Sequence, residues 1–237
     1  MEIEFVLVEP SVPENVGSVA RALKTLGFQS LILVNSQVHR EEKAQWVAHG
    51  STDILEKTRV YPNLSQALES ADFIVATTAR KRTLHHDYYS PTELRKLLSV
   101  KVEVVQKVAL LFGREESGLT NDELSLAHCI SSIPLAQVYP SLNLAQAVLV
   151  YAYELSPLRT EAGTPKPRED TASPLDLSYK ALYQRVETLM GIIHMHPKNS
   201  LVARRLLERL ALLSASDIRL LHSLCAQLEK ELKGGKG

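Results

Sequence analysis

The 237-residue sequence predicts an α/β fold, a mostly parallel sheet flanked by helices, followed by a small all-α extension. Three observations predict it. Through residue 155, short apolar runs alternate with amphipathic stretches, the pattern of strands joined by crossover helices. A segment rich in proline and polar residues then breaks the alternation. Everything beyond it keeps helical spacing only. The expected bounds are 1–156 for the α/β domain, 157–177 for a linker and 178–237 for the helical extension.

Residues 3–8 read as the first strand. A helix follows over 15–26, with Val16, Val19, Ala20, Leu23 and Leu26 on one side, Pro13 suiting its start and Gly27 its stop. Residues 31–34 form the next strand, 41–48 a helix, and 64–70 a short helix before the strand 73–77. Then come a helix over 91–98, a buried strand over 108–112, a helix over 121–127 and a strand over 129–133. A long helix runs from about 142 to 155. Pro157, Pro165, Pro167 and Pro174, with Gly163, mark the linker. The extension carries three apolar faces. They are Leu182, Val186, Leu189, Met190 and Ile193; then Ala203, Leu206, Leu207 and Leu210; then Ile218, Leu221, Leu224, Cys225, Leu228 and Leu232. Ser216 suits the N-cap of the last helix.

Hydrophobic residues make up 45% and charged residues 23%, ordinary for a globular chain. No apolar run approaches the roughly 18 residues of a bilayer span. Glu2, Glu4 and Glu9 argue against a signal or transit peptide. Cys129 and Cys225 stand far apart, could not form a zinc site of their own, and suit a reducing cytoplasm. The net charge is zero, yet residues 178–237 hold ten Lys/Arg against five Asp/Glu, a net of +5 that leaves −5 on 1–177. Such asymmetry signals a polyanion partner, and a solvated helical surface fits it equally.

Two nucleotide motifs are absent. No G-x-G-x-x-G follows the first strand. Gly113 and Gly118 have P-loop spacing, but Leu119 stands where a phosphate-binding lysine belongs. His85–His86 and His194–Met195–His196 lack convincing metal-ligand spacing, so no metal is expected.

Four segments remain. Asn15-Val-Gly-Ser-Val-Ala-Arg21 lies at a strand-to-helix junction, where backbone N–H groups suit an anion. A capped helix with a solvent arginine explains it as well. Leu110-Leu-Phe-Gly-Arg-Glu-Glu-Ser-Gly-Leu119 runs a buried strand into a charged loop, and ligands of parallel sheets bind beyond such strand ends. Gly113 would let a ligand approach the backbone, although an ordinary turn would also use glycine there. Tyr139-Pro-Ser-Leu-Asn-Leu-Ala145 opens the long helix; capping explains Ser141 but not Asn143, a poor helix former. Thr77-Thr-Ala-Arg-Lys-Arg-Thr83 sets three cations in a row, as phosphate contact or as a solvated loop.

Together these segments resemble the SpoU (TrmH) branch of the SPOUT RNA 2′-O-methyltransferases. Its motifs stand here as Asn15/Gly17/Arg21, Phe112/Gly113/Glu115/Gly118/Leu119 and Ser141/Leu142/Asn143, in order, over residues 1 to about 155. The phrase from Thr78 to Leu84 and the helical tail look like the TrmJ type, which methylates the 2′-hydroxyl at tRNA position 32. The resemblance implies an α/β-knot fold with a deep trefoil knot, S-adenosyl-L-methionine as cofactor, tRNA or rRNA as substrate, and a homodimer whose sites are completed across the interface. It places the cofactor on Thr77, Thr78, Ala79, Gly113, Ile133, Pro140, Ser141 and Leu142. It gives Arg21 the proton-accepting or hydroxyl-positioning role, organised by Asn15, Glu115, Ser141 and Asn143. Arg80, Lys81, Arg82, Arg114, Arg204 and Arg205 are the cations expected to meet RNA. A SpoU enzyme for another RNA position, and an RNA-binding module without catalysis, are the alternatives.

Overall fold

The structure is a computed structural model that describes residues 1–79, 87–137, 141–159, 176–196 and 200–234. Arg80, Lys81, Arg82, His85, His86, Tyr139, Pro140 and most of the expected linker lie outside the described residues.

Among the described residues one sheet holds seven strands: β1 (Glu2–Val8), β2 (Leu31–Val34), β3 (Arg59–Tyr61), β4 (Phe73–Thr77), β5 (Tyr88–Tyr89), β6 (Lys107–Phe112) and β7 (Cys129–Ser131). Their order is β3-β2-β1-β6-β4-β7-β5, and every pairing is parallel. Strands buried on both faces need apolar residues at nearly every position, and β1 buries all its residues but Glu2.

The strand period of two sorts these side chains onto two faces. On one face Phe5, Leu7, Leu110 and Phe112 meet helices α1 (Pro13–Thr25), α2 (Glu42–Ala48), α3 (Thr52–Glu56), α5 (Pro91–Ser99) and α7 (Leu144–Leu155). On the other, Val6, Val8, Ala109 and Leu111 meet α4 (Leu64–Leu68) and α6 (Asn121–Ser125). Each large side chain buried this way contributes about 1.5–3 kcal/mol.

The extension forms α8 (Tyr179–Ile192), α9 (Leu201–Leu210) and α10 (Ala215–Gly234). It shares the first core rather than building one of its own. Tyr179 is fully buried, sets its ring edge-on to Phe73 at 5.0 Å, and donates its N–H to the Val104 carbonyl at 3.1 Å. Lys101, also fully buried, donates to the Leu213 carbonyl between α9 and α10. Its ammonium lies 5.9 and 5.7 Å from the ring centres of Phe73 and Tyr179. No helix among the described residues is long and apolar enough to cross a membrane.

Several expectations need correction. Elements α3, β3 and β5 carried too few residues to show a period. The helix expected from 142 starts at Leu144, because Asn143 rather than Ser141 caps it: its side chain accepts the Ala145 N–H while Gln146 reaches back to the Asn143 N–H. Helix α10 starts at Ala215, so Ser216 is inside it; the Ser214 hydroxyl accepts the Asp217 N–H, and the Asp217 carboxylate accepts the Ser214 N–H. Of the three apolar faces, Leu182, Met190, Ala203, Leu207, Leu210, Ile218 and Cys225 are buried, whereas Ile193, Leu206, Leu224, Leu228 and Leu232 stay exposed. A helical period shows which residues share a side, not how much of that side finds a neighbour.

Candidate active site at the carboxyl ends of the strands

The carboxyl ends of β1, β4, β6 and β7 lie side by side in the sheet, the place where parallel sheets hold ligands. A cavity of about 510 Å³ opens there. Residues 77–79 beyond β4, 112–119 beyond β6, Ile133 and Leu135 beyond β7, and Ser141 and Leu142 before α7 line it, with Leu144, Ala147 and Tyr151 as one face of α7. Thr77, Thr78, Ala79, Gly113, Ile133, Ser141 and Leu142, assigned by resemblance to the cofactor, thus share one cavity. The volume is that of a nucleoside-sized ligand site, and the mix of apolar side chains with loop backbone suits one.

The loop after β6 is self-bracing. The Gly118 N–H donates to the Arg114 carbonyl at 2.9 Å, and Gly118 has a φ of +70°. A Cβ on Gly113 would sit 2.2 Å from the Gly118 carbonyl carbon and 2.3 Å from the Leu119 nitrogen. Glycine is therefore required there by the loop's own crossing, not only by an approaching ligand. Arg114, expected to meet RNA, lies inside this brace. Its Nε donates to Glu9 at 2.8 Å, and its two terminal nitrogens grip Glu123 at 3.1 Å each. Those two carboxylates raise its pKa and together outweigh its single positive charge.

Glu115 reaches from the same loop to the start of α1. Its carboxylate accepts the Ser11 N–H at 3.1 Å, the Ser11 hydroxyl at 3.2 Å, the Val12 N–H at 3.3 Å and the Asn15 amide at 3.1 Å. Burial opposes its charge, but the donations from Asn15, Ser11 and Val12 outweigh burial and hold the carboxyl below its usual range. The strand-to-helix junction does attract an anion, as its sequence suggests, and that anion is the chain's own Glu115. Gly17 serves packing instead. It sits inside α1, where a Cβ would come within 2.2 Å of the Ala44 carbonyl oxygen of α2. Asn15 extends the network, accepting the Asn143 amide at 2.8 Å. Three motifs far apart in sequence therefore meet as Glu115, Asn15 and Asn143.

Arg21 does not join them. It is exposed on α1, and no hydrogen bond or ion pair links it to that network or to the cavity lining among the described residues. Six helical positions place it about 9 Å along and roughly 120° around the axis from Asn15. Arg204 and Arg205 lie on α9, half-buried and exposed. Sequence reasoning missed Ser11, Val12 and Tyr151. Val12 acts through its backbone N–H, which carries no side-chain signature, and Ser11 adds a hydroxyl to its N–H toward a carboxylate 104 positions away, which has no local signal. Tyr151 reads as ordinary core on a helical period.

Comparison with known proteins agrees with this geometry. The family described as SpoU rRNA Methylase matches residues 2–153, and the C-terminal domain of the tRNA/rRNA methyltransferase LasT matches residues 177–232. The chain is 43% identical over 232 residues to an uncharacterized tRNA/rRNA methyltransferase LasT of Escherichia coli K12, covering 98% of this chain and 99% of that protein. It is 38% identical to the tRNA (cytidine/uridine-2′-O-)-methyltransferase TrmJ of Salmonella typhimurium, with 98% of each covered. Among solved structures, TrmJ from Z. mobilis ZM4 superposes with a TM-score of 0.63 at 29% identity, over 97% of this chain and 100% of that one.

Proposed function

The chain belongs to the SpoU rRNA methylase family, and from that premise we propose that it transfers a methyl group from S-adenosyl-L-methionine to a ribose 2′-hydroxyl of tRNA, at position 32 of the anticodon loop. The observation that carries this reading is the single cavity that gathers residues 77–79, 112–119, Ile133, Ser141 and Leu142 beside the Glu115–Asn15–Asn143 network. The relatives named as tRNA 2′-O-methyltransferases over nearly the whole chain supply the substrate class.

Bound in the cavity, the cofactor supplies a methyl carried on a sulfonium, open to in-line displacement by an oxygen. The chain's own residues have to align that oxygen; its proton passes to solvent water as the oxygen–methyl bond forms and the sulfur–methyl bond breaks. Alignment in a closed pocket supplies much of the acceleration. Thr77, Thr78, Ala79, Gly113, Ile133, Pro140, Ser141 and Leu142 hold the cofactor. Glu115 is a poor base, because its lone pairs already accept four hydrogen bonds and its pKa is lowered. It ties the loop after β6 to the start of α1 and holds Asn15, which in turn accepts the Asn143 amide. Arg21 acts as a clamp on the 2′-hydroxyl and the adjacent phosphate, since a guanidinium with a pKa above roughly 12 seldom loses its proton. Its distance from its own network fits a homodimer in which a second copy's Arg21 completes the site. A trefoil knot around the cavity, a cytoplasmic location, and RNA contacts by Arg80, Lys81, Arg82, Arg204 and Arg205 belong to the same reading. So do the bounds 1–156, 157–177 and 178–237, which the matched segments 2–153 and 177–232 support.

The test is mass mapping of 2′-O-methyl marks after the purified protein is incubated with S-adenosylmethionine and unmodified tRNA or rRNA. A mark at tRNA position 32 is expected, lost in Arg21→Ala while cofactor affinity is kept. Marks confined to rRNA would overturn the substrate, and normal turnover of Arg21→Ala would overturn its role.

A further inference from the structure

Tyr151 stands among the residues that line the cavity, yet it is 1% exposed and its hydroxyl points away into the sheet. That hydroxyl donates to the Ser131 Oγ at 2.9 Å, and the contact is buried. Ser131, fully buried at the end of β7, in turn donates its Oγ to the Tyr89 carbonyl at 2.7 Å. The backbone of Ser131 works as well: its carbonyl accepts the Thr78 N–H at 3.0 Å. The neighbouring Ser132 N–H donates to the same Tyr89 carbonyl at 2.9 Å. Ser131 therefore clips together β4, whose continuation Thr78 lines the cavity, and the two-residue edge strand β5, which shares just two registered positions with β7.

A two-residue strand is weakly held by backbone pairing alone, so the side-chain clip matters more than it would in a long strand. The Tyr151 ring also packs edge-on against Phe112 at 5.6 Å, immediately before Gly113. One side chain on the cavity face of α7 thus touches the last residue of β6 and, through Ser131, fixes the backbone beyond β4. Those are the two strand ends from which the cavity is built.

We propose that Tyr151 is a positioning residue for the cofactor, acting through its hydroxyl on Ser131 to hold the Thr78 backbone at the cavity wall. The inference rests on the methyltransferase reading above. It assigns Tyr151 no contact with the reacting atoms; those are set by the network at the other rim.

Replacing tyrosine by phenylalanine keeps the ring and removes the clip. In Tyr151→Phe the dissociation constant for S-adenosylmethionine, read by calorimetry on the full chain, is expected to rise about fivefold, equivalent to ~1 kcal/mol. The kcat at saturating cofactor is expected within twofold of the parent, as is the KM for RNA. Ser131→Ala, which also loses the bond to the Tyr89 carbonyl, should raise the same constant at least as much, and the double variant should be no worse than Ser131→Ala alone, because the Tyr151 hydroxyl acts only through Ser131. Unfolding midpoints measured alongside show that each variant is folded at the assay temperature. A purely structural role would lower the midpoint without this KM-against-kcat split. Unchanged affinity in folded Tyr151→Phe, or effects of the two changes that simply add, would overturn the inference and leave the methyltransferase reading standing. Absence of cofactor binding by the parent chain would overturn both.

Discussion

Glu115 and Lys101 are two charges taken from water on opposite terms. Glu115 has four donors around one carboxylate, so its charge is satisfied. Lys101 has one carbonyl acceptor and two aromatic rings. Burial wins, and its pKa falls from 10.5 to about 8. A shift of that size corresponds to roughly 3 kcal/mol of penalty on the charged form. The unfolded chain binds this proton more tightly, so the penalty weighs fully below pH 8 and lifts as the pH rises from about 8 towards 10.5. Lys101→Met removes the charge but strands the Leu213 carbonyl, which costs about 1–3 kcal/mol. The charge term exceeds the middle of that range. The variant is therefore expected to melt about 2–4 °C higher at pH 7, with the advantage gone at pH 10. A calorimetric scan at both values checks it; an equal gain at both would mean that packing, not charge, is responsible.

At the scale of elements, the helix starts separate what is legible in a sequence from what is not. Pro91 and Ser90, with Glu93 three residues on, form the capping box that opens α5, and this is a purely local pattern. The start of α7 is only half local. Asn143 stands out in the sequence because it resists a helical place, and Gln146 completes its capping box. Its bond to Asn15, 128 positions earlier, has no local signal. The two roles separate by chemistry. Asn143→Asp keeps the oxygen that accepts the Ala145 N–H but loses the donor to Asn15. It is expected to retain stability within ~0.5 kcal/mol and to lose at least tenfold in methyl transfer, whereas Asn143→Ala loses the cap as well, about 1 kcal/mol. Urea unfolding beside single-turnover kinetics distinguishes them; full activity in Asn143→Asp would remove Asn143 from the site. Strand identity follows the same rule of locality. β1, β2, β4 and β6 are buried on both faces and announce themselves as apolar runs. β3 and β5, three and two residues long at the sheet edges, hold their place by pairing with strands distant in sequence.

Across the whole molecule, composition suggests an acidic body with a separate basic tail, and the packing revises the separateness. Tyr179 and Leu182 are fully buried within the same core as Phe73, Leu94 and Leu98. Arg219 pairs with Glu103 at 2.5 Å, and Lys180 donates to the Glu69 carbonyl at 2.5 Å. Deleting residues 160–237 should therefore uncover Phe73, against which the Tyr179 ring packs, and leave a body that binds a hydrophobic dye and unfolds at lower urea. A truncated chain with the parent's unfolding midpoint would mean that the tail is a passenger on the core. Which faces of the tail would dock could not be read from its helical period, because α8 and α10 bury only one side of the apolar stripes they carry.

The central pairing of the sheet also governs how the chain is made. β1 takes its place between β2 and β6, and its register with β6 sets Glu2 against Lys107. During synthesis at about 5–20 residues per second, the partner for that edge arrives about 5–20 s after β1 itself. Until then Ile3–Val8, a run of apolar residues broken only by Glu4, presents an unpaired edge of the kind that recruits foreign strands. High contact order slows closure further. The nascent chain thus passes through a long adhesive interval, and Glu2 and Glu4 are the charges that guard this strand while it waits.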